Sequence, residues 1–300
     1  MEAIITIVGF LGAGKTTLLK HLIQRYTKQG WDPFVILNDY ENANLDAQQF
    51  VGDLDETCVK ALSGSCICCS GIQELREFVN NIPERKNGIT LIEANGTSDA
   101  CSLVSFLGMG LEKRFLPPIQ ISVVDVKNWQ LRGEHNELEA NQIQVSSSII
   151  LTHTESTSEK RIQQVIKEVK TLNPLCQIIH FDEIDINLFP KLTPSTNKAQ
   201  KMEHGKAHWS SCSIDLPNLP DEKCIYELCD AVPKNILRIK GCTKIGDDDT
   251  YTFFERSPDA TVRIRPFRGI PITGAKLLSI GPGSDIQLLE NAIEKSLKVS

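Results

Sequence analysis

No stretch of the 300 residues approaches 18 consecutive apolar side chains, and Met1-Glu2 leads directly into an apolar segment with no charged region or cleavage site around it. The first absence argues against a membrane-spanning helix and the second against a secretory leader, so a soluble cytoplasmic chain with no membrane partner is expected. A basic excess is also missing: 32 Lys and Arg stand against 38 Asp and Glu, a net charge of −6. That sets nucleic acid aside as the main partner, because neutralising a phosphate backbone needs a basic face. There is no internal repeat and no low-complexity tract. Ten cysteines are present, and in such a chain they are expected to be reduced, buried or metal-binding rather than paired. Cys58, Cys101, Cys176, Cys212, Cys224, Cys229 and Cys242 are scattered and read as structural or incidental.

What the sequence does hold is Gly9-Phe10-Leu11-Gly12-Ala13-Gly14-Lys15-Thr16-Thr17, which fits G-x-x-x-x-G-K-[ST]. Glycines allow positive φ and close backbone approach, so successive N–H groups of Gly9, Gly12, Ala13, Gly14, Lys15, Thr16 and Thr17 can surround phosphate oxygens. In such a loop Lys15 reaches the β- and γ-phosphates and Thr16 ligates magnesium. The context is strand, loop, helix: Ala3–Val8, apolar but for Thr6, reads as a buried strand, and Lys15 to about Lys28 carries Leu18, Leu19, Leu22 and Ile23 on one helical face. A glycine turn that binds nothing would need neither the Lys nor the Thr.

Further apolar strands are expected at 33–37, 89–93, 119–125, 148–151 and 177–179, with helices near 127–143 and over 157–172. Alternating strands and helices call for a mostly parallel sheet, whose strand C-termini face the ligand. Asp39 and Glu41, just past the second strand, become candidate magnesium or second-metal ligands, with Glu41 read rather as a cap or a solvated carboxylate. Glu93, at the end of the next apolar strand, is placed to orient the water shell of magnesium, and Gly96 to offer its N–H to the γ-phosphate. Asp99 is read as a cap of the following helix.

Residues 63–71 hold Cys66, Cys68 and Cys69 between Gly64 and Gly71. Three thiolates can converge on one soft ion, such as zinc, copper(I) or an iron–sulfur cluster, rather than magnesium. Three ligands leave a tetrahedral site open to exchange. A cluster of merely buried cysteines has the same spacing, so both readings stand at this point. Pro190, Pro194, Ser195, Asn197 and several lysines mark 187–207 as a linker. His204 and His208 lie in this polar stretch and read as solvated. Beyond it, strands at 209–215, 236–240, 251–255, 260–267 and 276–280 and helices near 220–231 and 284–298 make a smaller α+β unit. The expected fold class is α/β: a P-loop NTPase domain over 1–186, then the linker, then the α+β domain over 208–300.

The phosphate loop, Asn38-Asp39, Cys66-Ile67-Cys68-Cys69, Glu93 to Gly96, Val124-Asp125, Asn173-Pro174 and Leu237-Arg238-Ile239-Lys240-Gly241 together resemble the CobW-like P-loop GTPase metallochaperones, the group that includes HypB and UreG. The resemblance spans nearly the whole chain. It implies an N-terminal GTPase domain and a C-terminal CobW domain. It also implies GTP with Mg2+ as nucleotide, Zn2+ or Co2+ held by the cysteine loop, and a client metalloprotein that receives the metal; a homodimer is left open. Where such proteins carry Asn-Lys-x-Asp to read guanine, this chain has Thr152-His153-Thr154-Glu155. Glu155 can accept both guanine N–H donors and His153 can stack. Asn42 replaces a second Glu of the pattern, and Ser65 the Gly before the first Cys.

Catalysis would then be positioning and charge stabilisation by the loop amides, Lys15, Thr16 and Glu93. No residue stands out as an arginine finger or as a water-positioning glutamine, so slow intrinsic turnover is expected. Two other readings fit the loop alone: a nucleotide-binding regulator or scaffold with a degenerate base site and little hydrolysis, or a small-molecule P-loop ATPase or kinase, for which no acceptor signature is visible. Replacing Cys66, Cys68 or Cys69 singly with Ala is expected to lower zinc or cobalt affinity while leaving the far-ultraviolet circular dichroism intact. Unchanged metal stoichiometry in all three would remove the metal reading.

Overall fold

The computed structural model describes residues 1–38, 50, 54–62, 72–197, 211–267, 269–271 and 274–298. The chain divides into two compact units, each built on its own sheet.

In the first unit, β1 (Ala3–Val8) is buried at every position and occupies the middle of a seven-stranded sheet. The others are β2 (Asp32–Asn38), β3 (Val59–Leu62), β4 (Gly88–Glu93), β5 (Ile119–Asp125), β6 (Ser148–Thr152) and β7 (Gln177–His180). Their order is β3-β2-β4-β1-β5-β6-β7 and every pairing is parallel. Parallel strands need covering on both faces, which explains their near-continuous Ile, Val and Leu content. Because β4 and β5 flank β1 on opposite sides, the strand order reverses at β1, and the crevice outside its C-terminal end is where such sheets bind ligands.

Helix α1 (Lys15–Lys28) leaves β1 through the glycine loop and buries Leu18, Leu19, Leu22, Ile23 and Tyr26. Helices α2 (Ile72–Asn80) and α3 (Ala100–Leu107) bury Leu75, Val79, Ala100, Leu103 and Leu107 in one cluster with Ile4, Phe34 and Ile92. Asp99 caps α3, its Oδ1 accepting from the N–H groups of Cys101 and Ser102. Helices α4 (Asn136–Gln144) and α5 (Glu159–Leu172) form a second cluster, with Ile143, Ile162, Val165 and Val169 against Ile149 and Leu151. The helix expected near 127–143 is thus shortened: 126–130 is a turn, and a 3-10 segment, Gly133–His135, precedes the helix. Strand β3 and helix α2 are elements the sequence reading does not anticipate. Among the described residues no helix is long and apolar enough to cross a membrane.

Residues 187–197, the start of the stretch read as a linker, belong to the first unit. Phe189 is fully buried, and Asn197 Nδ2 donates to Asn173 Oδ1 at 2.8 Å. Asn173 is the hub here, its Nδ2 donating to the carbonyls of Ile143 and Ser146 and its Oδ1 accepting from the Cys176 N–H.

The second unit is an antiparallel sheet of β8 (Ser211–Asp215), β9 (Arg238–Lys244), β10 (Tyr251–Arg256), β11 (Val262–Phe267) and β12 (Lys276–Ile280), ordered β11-β10-β9-β12-β8. Helices α6 (Lys223–Ala231) and α7 (Ile286–Leu297) pack together on it through Ile225, Leu228, Leu289 and Ile293. Arg256 closes the C-terminal end of α6 by donating to the carbonyl of Cys229 in its last turn and to those of Val232, Pro233 and Ile236 just beyond it.

Asn173→Ala would leave the buried Ile143 and Ser146 carbonyls without this donor. It is expected to lower the unfolding free energy by about 2–3 kcal/mol, measured by urea titration.

Candidate nucleotide site

The loop after β1 takes its shape from glycine. Gly9, Gly12 and Gly14 have φ of 145°, 79° and 99°, and a side chain at Gly9 would put Cβ 2.5 Å from the Val123 carbonyl oxygen. Gly14 is the N-cap of α1, so the first free N–H groups of that helix face the loop. Lys15 is buried, and its Nζ donates to the carbonyls of Gly9 at 2.9 Å and Phe10 at 3.2 Å. Thr16 Oγ1 donates to Glu93 Oε1 at 2.8 Å, which places a hydroxyl from the first turn of α1 beside a carboxylate oxygen at the end of β4. Such an oxygen pair suits a hard cation such as Mg2+. Just beyond β4, Gly96 comes so close to the loop that a Cβ there would meet Leu11 N at 2.8 Å. Asn95 Oδ1 accepts from Thr97, while Asn95 Nδ2 is buried with no hydrogen-bond partner.

On the other side of β1, Asp125 organises the ends of β5 and β6. Its Oδ1 accepts from the N–H groups of Lys127 and Asn128, and its Oδ2 from Asn128 Nδ2 at 2.7 Å. Arg132 Nη2 lies 3.4 Å from Asp125 Oδ2 and His153 Nδ1 lies 3.3 Å from Asp125 Oδ1. Burial alone would push this carboxyl up; the contacts from His153 and Asn128 and the positive charge of Arg132 outweigh it and hold Asp125 at about 2. Thr152 Oγ1 donates to the Ala13 carbonyl at 2.8 Å with Val124 O 3.1 Å away, so β6 is tied to the phosphate loop. His153 has a φ of 58° and is partly buried, whereas Glu155 is exposed. Asp39, Cys66, Cys68 and Cys69 lie outside the described residues, and among those described no group of three or more His, Cys, Asp or Glu is placed to hold a metal.

Residues 3–180 match the family model described as CobW/HypB/UreG, nucleotide-binding domain. The chain belongs to the CobW/HypB/UreG family. Among curated relatives it is similar to the zinc chaperone YjiA of Escherichia coli (strain K12), 29% identical over 195 residues, covering 62% of this chain and 60% of YjiA. It is also similar to the zinc-regulated GTPase metalloprotein activator 1 of Dictyostelium discoideum, 23% identical over 209 residues, covering 57% of this chain and 44% of that protein. These matches span less than two thirds of either relative's length. Among solved structures it resembles Zn(II)-bound YjiA GTPase from E. coli, at 17% identity, coverage of 97% and 98%, and a TM-score of 0.44.

Three members of the site in this family chain carry no motif signal. Asn95 lies inside the Glu93–Gly96 segment, but only its unpartnered amide distinguishes it. Arg132 and Glu139 sit in a stretch that reads as ordinary helix, yet Arg132 Nε is 3.7 Å from Glu139 Oε1, and Glu139 Oε2 accepts from the Gln130 N–H at 2.7 Å. A buried Glu, Arg and Asp gathered into one cluster is a pattern visible only in three dimensions.

Burial pushes the Glu139 carboxyl up to about 7 from 4.5; Arg132 and the Gln130 N–H pull the other way, and the Asp125 charge adds to the rise. Since the folded chain holds this proton more tightly than the unfolded one, Glu139 contributes stability that is complete below pH 4.5 and is lost as pH rises through about 7. Glu139→Gln stays neutral throughout. The stability of the wild type relative to Glu139→Gln is expected to fall by about 3 kcal/mol across that window, at roughly 1.4 kcal/mol per pKa unit. Urea unfolding at a series of pH values reads the difference, and a constant one would mean an unshifted carboxyl.

Proposed function

We propose that this chain binds GTP and hydrolyses it slowly, coupling nucleotide state to the binding and delivery of zinc or cobalt to a client metalloprotein. The observation that carries the reading is the Thr16–Glu93 hydrogen bond beside Lys15 and Gly96, because it gathers at one corner the groups a γ-phosphate needs. Gly9, Gly12, Ala13, Gly14, Thr16 and Thr17 would cradle the phosphates with backbone N–H groups. Lys15 would exchange its two carbonyl acceptors for phosphate oxygens, a charge-assisted replacement that favours the bound state. Thr16, with Glu93 behind it, would hold Mg2+, which supplies neutralisation of the developing charge on the β- and γ-phosphates. Gly96 brings its backbone to the loop, and a tri- or diphosphate would meet it differently, so the segment Glu93–Gly96 is suited to sensing hydrolysis.

Cys66, Cys68 and Cys69 lie in sequence between β3 and α2, and their thiolates are suited to a soft ion as cargo. If hydrolysis weakened metal binding by roughly 100-fold, the coupling would be about 2.7 kcal/mol, within the range such two-state elements deliver. The metal and GTP assignments accord with relatives whose names describe zinc chaperones and zinc-regulated GTPase activators.

A second reading, a nucleotide-binding regulator with little turnover, has one observation in its favour. Thr152 spends its hydroxyl on the carbonyls of Ala13 and Val124 rather than on a base. Binding and single-turnover hydrolysis measured with GTP and ATP in parallel, with and without zinc, separate the readings. GTP preference with zinc-dependent affinity or rate is the expected result, and binding without turnover would favour the regulator. Phosphoryl transfer from ATP to a small molecule would favour a kinase. Lys15→Ala is expected to abolish nucleotide binding, and retained hydrolysis would remove the phosphate-loop assignment.

A further inference from the structure

The turn between β5 and α4 is fixed far more firmly than a surface connection requires. Asn136 Oδ1 accepts from the Arg132 N–H at 2.8 Å and Asn136 Nδ2 donates to the Gln130 carbonyl at 3.0 Å. Gln130 Nε2 returns a bond to the Asn136 carbonyl, and Arg161 of α5 donates to the carbonyls of Val126 and Trp129. This brace aims one side chain. The guanidinium of Arg132 lies over the Phe10 ring, 4.6 Å from its centroid, and both side chains are buried. Phe10 is the second residue of the phosphate loop, and its carbonyl accepts from Lys15 Nζ and from the Ala13 N–H.

We propose that Arg132 is a positioning residue for the phosphate loop: clamped between Asp125 and Glu139, it stacks on Phe10 and holds in place the carbonyl that accepts from the Ala13 N–H, so that the shape of the loop, and with it nucleotide affinity, depends on the clamp. This rests on the reading of residues 9–17 as the nucleotide site. A planar cation on a buried aromatic face is a directional contact, and Lys cannot reproduce the stack. The clamp itself is uneven. Asp125 is held ionised, while Glu139 is buried with Arg132 Nε at ion-pair rather than hydrogen-bond distance and changes charge near neutrality. The charged and titratable groups around it are Asp125 at the end of β5, Arg132 in the turn, His153 across Asp125, His135 with its ring 6.1 Å from Phe10, and Arg161 from α5. Protonating Glu139 leaves Asp125 alone to hold the guanidinium, so affinity should fall as pH falls through neutrality.

The test is the equilibrium affinity for magnesium–GTP and magnesium–ATP between about pH 6 and 8, with thermal melting followed in parallel. The chains compared are wild type, Phe10→Leu, Arg132→Lys, their double variant, Glu139→Gln and Lys15→Ala. Phe10→Leu removes the ring without leaving a carboxylate unpaired and is expected to weaken binding about tenfold, which corresponds to about 1.4 kcal/mol. Arg132→Lys should weaken it several-fold, and the double variant should be no worse than Phe10→Leu, because both remove one contact. Glu139→Gln should lose the part of the pH dependence that Glu139 supplies and keep only the change that nucleotide phosphate titration gives to all chains. Wild-type affinity and pH profile in Phe10→Leu and Arg132→Lys, or fully additive losses in the double variant, would overturn the proposal. If wild type binds no better than Lys15→Ala, the nucleotide-site reading falls, and the proposal with it.

Discussion

A buried ammonium dictates much of this architecture. Lys15 holds its charge inside a turn of backbone, with the carbonyls of Gly9 and Phe10 as acceptors, and such a charge is tolerated only where hydrogen bonds replace water. For those carbonyls to point inward, the chain must pass through positive φ at Gly9, Gly12 and Gly14. The loop must also be rigid, and it gains rigidity by hanging from the central strand. Strand register then brings Glu93 and Gly96 to one flank of the loop and Asp125 to the other. The candidate site is therefore a consequence of where the strand order reverses.

The two carboxylates on Arg132 show how similar burial yields opposite outcomes. Asp125 and Glu139 are both removed from water and share one guanidinium. Asp125 also collects two backbone N–H groups, an Asn amide and the neighbouring His153, so its charge is well solvated by protein. Glu139 has one backbone N–H and a longer ion pair, and burial wins. Hydrogen-bond count, more than depth, separates them.

Legibility in the sequence followed the same physics. Strand β1, the glycine loop and α1 are readable because a largely apolar run, glycines at positive φ and a 3.6-residue stripe are local signals. The antiparallel second unit is likewise readable from alternation along its strands. Strand β3 escapes because Val59–Leu62 is a four-residue edge strand with a Lys inside and only partial burial. The helix near 127–143 is over-extended because Asp125 captures the N–H groups of Lys127 and Asn128 and forces a turn, a contest between side chain and helix that periodicity does not register. Thr152 reads as a departure from Asn-Lys-x-Asp, yet its hydroxyl ties β6 to Ala13, a partner 139 residues away in the chain. Contacts of that range leave no local trace.

The central placement of β1 also has a consequence for how the chain must assemble. Ile5 stands in register with Leu91 on one side and Ile119 on the other, so β1 precedes both of its neighbours in the chain by a long stretch of sequence. Until those neighbours are made, this mostly apolar segment has neither edge paired, and closing its long loops carries an entropic cost before any contact rewards it. Slow acquisition of the first unit and a need for shielding of nascent chain follow from the same topology that places the glycine loop at the sheet's centre.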